Sequence, residues 1–148
     1  MNMQLHIQKM SKEDIDAVYA IESSVSPTPW SKDNFLKTFD AVYSYSSILK
    51  CDTIIFGYVL FLLIEDEVTI LNIAVAQEFQ SKGYGQMLLT HVHTFARNQK
   101  VKTAFLEVNE HNVQAIHFYI KQGYEIYSKR PKYYVNGDDA LTMRYFFV

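Results

Sequence analysis

The sequence predicts a mixed α/β fold: a mostly antiparallel central sheet of about seven strands with about four helices packed against it. Three apolar, β-branched runs, at 43–50, 54–65 and 68–75, follow one another with only tight polar turns between them. That is the pattern of an antiparallel meander. The last run passes through a glycine-containing loop into a segment with apolar residues at Leu88, Leu89, Val92, Phe95 and Ala96, one face of a 3.6-residue period. Another apolar strand, 103–108, follows that helix. Strand, helix and strand in this order form a crossover, whose two strands run parallel.

The remaining elements fall in order around this centre. Residues 5–9 alternate apolar and polar, as a first strand. Ser11 reads as an N-cap with Glu13 and Asp14 in the first turn, and Ile15, Val18, Tyr19 and Glu22 continue at helical spacing. Segment 25–30 holds Pro27 and Pro29, which cannot continue that helix, and reads as a loop. Ser31 opens a second helix through Phe35, Leu36 and Phe39. After the crossover, Asn112 caps a helix with Ala115, Ile116, Tyr119 and Ile120 on one side, ending at Gly123. Residues 124–127 begin a strand, 129–139 read as a long polar and aromatic loop, and 141–147 close the sheet. With no internal repeat, low-complexity tract or linker, residues 1–148 are expected to form a single domain.

Composition excludes several classes. An apolar share of 49% and a charged share of 20% are those of a globular protein. Fourteen basic against sixteen acidic residues, with no basic tail, lack the footprint of an autonomous nucleic-acid binder. Cys51 is the single cysteine, so no intramolecular disulfide can form and a reducing compartment suits the chain. Residues 1–6 show no charged segment leading into an apolar one, and the longest apolar run, 54–64, is far short of the ~20 residues of a spanning helix. A cytoplasmic location, off the membrane, is the expectation.

The chemistry concentrates between Asn72 and Gly85. Here Ile73-Ala74-Val75 ends a strand, and Gln80-Ser81-Lys82-Gly83-Tyr84-Gly85 leads into a helix. Glycines let a loop curl around an anion, and the free N–H groups and positive dipole end of the following helix favour a phosphate. The spacing is neither Gly-x-Gly-x-x-Gly nor a Walker loop, since Gln86 follows the second glycine. A glycine pair after a strand is also ordinary turn chemistry.

Glu107 stands inside the apolar strand 104–108, where a carboxylate is costly without a partner or a purpose. It is either a candidate general base or a structural ion-pair residue. Tyr119 is either core filler or a phenol able to protonate a leaving thiolate. The simplest role for Asn112 is the helix cap. Cys51, at a turn with no histidine beside it, is a poor nucleophile candidate. The five histidines have no metal-site spacing, so no metal is expected. The pairs Tyr43/Tyr45 and Tyr133/Tyr134 either pack the sheet or wall a substrate site.

Taken together, Ile73-Ala74-Val75, Gln80-x-x-Gly83-x-Gly85, Leu106-Glu107-Val108 and Asn112-x-x-Ala115-Ile116-x-Phe118-Tyr119-x-x-x-Gly123-Tyr124 resemble the GCN5-related N-acetyltransferases. Within that family the chain is most similar to the bacterial ribosomal-protein-alanine N-acetyltransferases, which share Pro29-Trp30, Tyr133-Tyr134 and 139–143. The likeness covers nearly the whole chain. It implies the acyl-CoA N-acyltransferase fold with splayed strands at an acetyl-CoA site. It further implies that Ile73, Ala74 and Val75 meet the acetyl and pantetheine parts, that Gln80, Ser81, Lys82, Gly83, Tyr84 and Gly85 hold the pyrophosphate, and that Asn112 and Tyr119 contact the coenzyme. Glu107 matches the family's general base and Tyr119 its general acid, while Pro29, Trp30, Tyr133 and Tyr134 fall on loops lining the peptide site. Where the family often has arginine, this chain has Asn109.

The implied activity is acetyl-CoA-dependent acetylation of a protein N-terminal α-amine, the alanine of a small-subunit ribosomal protein, by direct transfer in a ternary complex. A small-amine acetyltransferase, for a polyamine or aminoglycoside, calls for acidic residues gathered near the aromatic loops, which the sequence does not place there. A non-catalytic acyl-CoA-binding module has no use for Glu107 and Tyr119 together.

Overall fold

A computed structural model describes residues 4–148; the first three positions of the 1–6 segment lie outside the described residues. Strands β1 (Leu5–Lys9), β2 (Ser44–Cys51), β3 (Ile54–Ile64), β4 (Glu67–Val75), β5 (Thr103–Asn109), β6 (Glu125–Arg130) and β7 (Ala140–Phe146) form one seven-stranded sheet in the order β1-β2-β3-β4-β5-β7-β6. Helices α1 (Ile15–Val25), α2 (Lys32–Asp40), α3 (Tyr84–Asn98) and α4 (Val113–Lys121) pack on it. The β2-β3-β4 meander is antiparallel and the β4–β5 pair parallel, as the sequence predicts.

Three boundaries differ from expectation. Ser11 opens a 3₁₀ turn over Lys12–Asp14 that continues into α1, and α1 runs on through Val25 before the prolines stop it. Strand β6 extends to Arg130, into the expected loop, because β7 lies beside it and takes up its backbone groups. β7 is inserted between β5 and β6, an order that local periodicity does not carry.

Two apolar clusters sandwich the sheet. On one side α3 and α4 cover Val59, Phe61, Leu106 and Met143 with Leu88, Leu89, Val92 and Tyr119. On the other, α1 and α2 cover Ile48, Tyr58 and Leu60 with Ile15, Val18, Ile21 and Phe35. Burying one such side chain contributes about 1.5–3 kcal/mol. Both faces of β3 are covered, which explains its unbroken apolar run. Among the described residues no helix is long and apolar enough to cross a membrane, and no three His, Cys, Asp or Glu side chains are grouped to hold a metal.

Candidate active site

Strands β4 and β5 begin as parallel neighbours and then part. Their ladder joins Glu67–Ile70 to Thr103–Leu106 and stops there. The cause lies on the opposite edge of β4. Phe61 of β3 pairs with Ile70 but Leu60 pairs with Asn72, so Leu71 is an extra residue in β4. A bulge of this kind bends its strand and increases the local twist. β5 meanwhile stays paired with β7 as far as Asn109. Beyond Ile70, the edge of β4 toward β5 therefore lacks a strand partner, and a cleft of about 500 Å³ opens beside it.

The cleft gathers residues from distant parts of the chain. Ile73 and Ala74 come from β4, Glu107 from β5, Asn112 from the cap of α4 and Tyr119 from its body, Trp30 from the α1–α2 loop and Tyr134 from the β6–β7 loop. Pro29, Val75 and Tyr133 fall outside its lining. Tyr133 is half exposed and meets Tyr134 edge-on at 5.1 Å. Tyr43 and Tyr45 are not brought here; Tyr45 stacks on Phe61 at 5.5 Å and leans on Phe95.

Strand alternation aims Glu107. Ala104, Leu106 and Val108 point into the core, so Glu107 points to the other face. Its Oε1 lies 3.7 Å from Arg130 Nε, so the ion-pair reading holds in part. Among the described residues its Oε2 is buried without a hydrogen-bond partner in good geometry, while the nearby Tyr133 hydroxyl interacts with the carboxylate as a whole. A buried acceptor left unpaired costs about 1–3 kcal/mol, so an incoming N–H donor relieves a cost already present. Tyr119, also in the lining, is buried, and burial, with the neighbouring Tyr134 oxygen, pushes its phenol well above the usual range. Burial likewise pushes Tyr134 up to about 12, with Tyr133 and Glu107 adding to it. Both phenols keep their protons at neutral pH.

The glycine loop sits at the end of the same edge. Gly83 has φ +87° and is the N-cap of α3, whose first turn carries neither a side-chain cap nor an acidic residue. Its leading N–H groups therefore keep their capacity to bind an anion. The Gln80 side-chain amide donates to the Val75 carbonyl at 3.0 Å, folding the loop back onto β4. Phe79 stacks on Phe56 at 3.7 Å and Tyr84 meets Phe56 edge-on, so the loop rests on the sheet. Ser81, Lys82 and Gly83 are exposed. Gly85 lies between Val75 and Phe118 of α4, where a Cβ would make only ordinary contacts. Asn112 caps α4 as expected, its Oδ1 accepting from Ala115 N–H at 3.2 Å.

Several residues of the site escape sequence reasoning. Glu22, on α1, is 5% exposed and lines the cleft. Its signal was positional: it lies seven residues after Ile15 on the apolar face of α1, an odd place for a carboxylate. Asn109, at the position where arginine is common, donates to Asp138 at 2.9 Å. The fold also corrects the expectation that acidic groups do not gather near the aromatic loops. Glu110, Asp138 and Asp139 cluster there, although Lys129 Nζ holds Glu110 at 2.8 Å and Asp139 at 3.4 Å.

A mixed sheet split at a β4 bulge, with a glycine loop opening the next helix at the end of the split, is the architecture of an acyl-CoA N-acyltransferase. The chain belongs to the acetyltransferase (GNAT) family, whose model matches residues 15–124, and it is an N-acetyltransferase. It is 31% identical to the ribosomal protein bS18-alanine N-acetyltransferase of Salmonella typhimurium, over 93% of this chain and 94% of that one. The crystal structure of the ribosomal-protein-S18-alanine N-acetyltransferase from Escherichia coli superposes with a TM-score of 0.89 at 28% identity, covering 97% of this chain and 94% of that one. Arabidopsis thaliana NAA60, solved in complex with acetyl-CoA, shares the fold with a TM-score of 0.84 at 17% identity, over 97% and 99% of the two chains.

Proposed function

We propose that this N-acetyltransferase, working as one catalytic unit in the cytoplasm, transfers the acetyl group of acetyl-CoA to the α-amine of a protein N-terminus. Its preferred acceptor is the N-terminal alanine of a small-subunit ribosomal protein. The observation that carries the reading is the buried, unpartnered Oε2 of Glu107 in a cleft that also holds the protonated Tyr119. The likeness to the Salmonella and Escherichia coli enzymes supports the choice of alanine.

In this reading, the unpaired edge of β4 at Ile73–Val75 aligns the thioester through backbone groups, and the loop Gln80–Gly85 receives the pyrophosphate. Glu107 accepts the proton of the attacking amine, directly or through a water, and Tyr119 donates its proton to the departing thiolate. Most of the rate gain comes from holding two reactants in place, for which effective molarities reach ~10⁵ M or more. Direct transfer is supported by the place of Cys51, buried in the core on β2 and outside the cleft.

An α-amine suits one base. With a pKa near ~8, about a tenth of it is already neutral at pH 7, against fewer than about one lysine in a thousand. Trp30 and Tyr134 stand on two walls of the cleft and suit an extended peptide with a small first residue. The test uses two peptides of one sequence, one with a free N-terminal alanine and one N-terminally blocked with an internal lysine, read by mass spectrometry. Only the free peptide is expected to gain an acetyl group; equal rates for both overturn the α-amine reading. A polyamine or aminoglycoside in the same assay tests the small-amine alternative.

A further inference from the structure

The most heavily used side chain of the cleft belongs to no step of the chemistry above. Glu22 accepts three hydrogen bonds from three different elements. Tyr58 of β3 donates its hydroxyl to Oε1 at 2.9 Å, Asn72 of β4 donates its amide to Oε2 at 3.0 Å, and the backbone N–H of Trp30 donates to Oε2 at 3.0 Å. Glu22 as a residue is 5% exposed. A buried carboxylate is tolerated only where donors converge on it, and three do so here.

What the three bonds connect gives them meaning. Asn72 is the first residue beyond the Leu71 bulge, at the root of the unpaired half of β4. Trp30 stands on the facing loop, its ring tilted against Phe35 at 5.1 Å, and Phe35 in turn meets Tyr58 edge-on at 5.8 Å. Segment 26–31 is joined to α1 and α2 at its ends, and holds Pro27 and Pro29, which carry no N–H. The Trp30 N–H is therefore one of few backbone donors by which this loop can be fastened, and Glu22 takes it.

We propose that Glu22 is a positioning residue that sets the width of the acceptor side of the cleft, by tying the Trp30 loop to the splayed half of β4. What the cleft admits rests on the acetyl-transfer reading above; the tie itself does not. Loosening it lets the loop drift from the amine's position while the glycine loop, held separately by Gln80 and Phe79, keeps the coenzyme site. Small misplacements of this kind are costly to a reaction that depends on alignment.

Two variants separate geometry from charge. Glu22→Asp keeps the charge but withdraws the acceptors by one methylene, so it cannot reach all three donors. Glu22→Gln keeps the length: its carbonyl serves Trp30 and Asn72, while its amide donates to the oxygen of Tyr58, whose hydroxyl can accept as well as donate. Trp30 is the sole tryptophan, so its fluorescence reports the loop directly.

Glu22→Asp is expected to make Trp30 more accessible to acrylamide and to raise the peptide KM by about tenfold. Its acetyl-CoA affinity, by calorimetry, should stay near the wild-type value. Glu22→Gln should resemble the wild type in all three measurements. Wild-type quenching and KM in Glu22→Asp overturn the proposal. So does a peptide KM defect in Glu22→Gln as large as that in Glu22→Asp, which would make the charge itself the acting feature, and so does a parallel loss of coenzyme affinity. Increased quenching in Glu22→Asp, together with no peptide acetylation by the wild type, leaves the tie standing and refutes the acceptor reading instead.

Discussion

Gly57 and Ala74 approach so closely across the β3–β4 pair that a Cβ built on Gly57 would lie 2.7 Å from the Ala74 carbonyl oxygen. The same Cβ would lie 3.1 Å from Leu88 Cδ1 of α3. Gly57 thus lets the helix that follows the glycine loop press against the strand that edges the cleft. Backbone sits on one side and packed core on the other, so neither gives way cheaply. Gly57→Ala is expected to cost about 1–3 kcal/mol of stability by urea unfolding and to weaken acetyl-CoA binding by shifting Ala74. Wild-type values in both measurements would show that the ladder absorbs the methyl group.

At Gly83 the space is open, with no heavy atom within 4 Å of an added Cβ, but φ is +87°. Asparagine and aspartate tolerate this conformation best among non-glycine residues. Gly83→Asn and Gly83→Asp should therefore both fold. The aspartate places a negative charge at the α3 N-terminus, where the pyrophosphate is proposed to lie, and should raise the acetyl-CoA Kd at least about tenfold above that of the asparagine variant. Equal affinities by calorimetry would remove the phosphate from this loop.

Tyr119→Phe keeps the buried ring and deletes the proton. Turnover should fall by roughly 10²-fold or more, with acetyl-CoA affinity little changed. If kcat stays at the wild-type value, Tyr119 is packing.

Glu107→Gln should lower kcat/KM for the peptide by roughly 10²-fold or more at neutral pH, since the amide cannot take up a proton from the amine. Coenzyme binding should be preserved. An unaltered kcat/KM would leave Glu107 as a partner of Arg130 alone. In the same assay Cys51→Ala should be nearly silent, and an abolished reaction would point to an acyl-cysteine intermediate.

Stability should depend on His93. Burial, with Arg97 nearby, lowers its pKa to about 4, and its Nε2 lies 2.8 Å from the Tyr124 hydroxyl. The native imidazole resists protonation at pH values where the unfolded one accepts it, below about 6.5. Its contribution is thus fully present above that pH and is lost as pH falls toward 4. Urea midpoints measured across this window should decline less steeply for His93→Asn than for the wild type; parallel slopes would contradict the assignment.

Local pattern determined much of this protein on its own. Apolar alternation and helical spacing give seven strands and four helices in their order, because those periods follow from backbone geometry within one element. Gln80-x-x-Gly83-x-Gly85 is likewise legible, since a positive-φ glycine and a bare helix start are properties of adjacent residues. Glu107 announces itself as a carboxylate in an apolar strand. Tertiary structure alone decided the rest. Leu71 becomes a bulge only against β3, and the cleft exists only because β5 does not follow β4 around that bend. Glu107 becomes half of an ion pair only because β7 carries β6, and with it Arg130, to within 3.7 Å of its Oε1, while its Oε2 stays without a hydrogen bond among the described residues. Glu22 is a carboxylate on an apolar helix face whose role is set only by Tyr58, Asn72 and Trp30, separated from it by 36, 50 and 8 positions, converging on it. Charge placed in a core takes its meaning from partners across the fold, and those partners are fixed by packing between elements rather than by the period within any one of them.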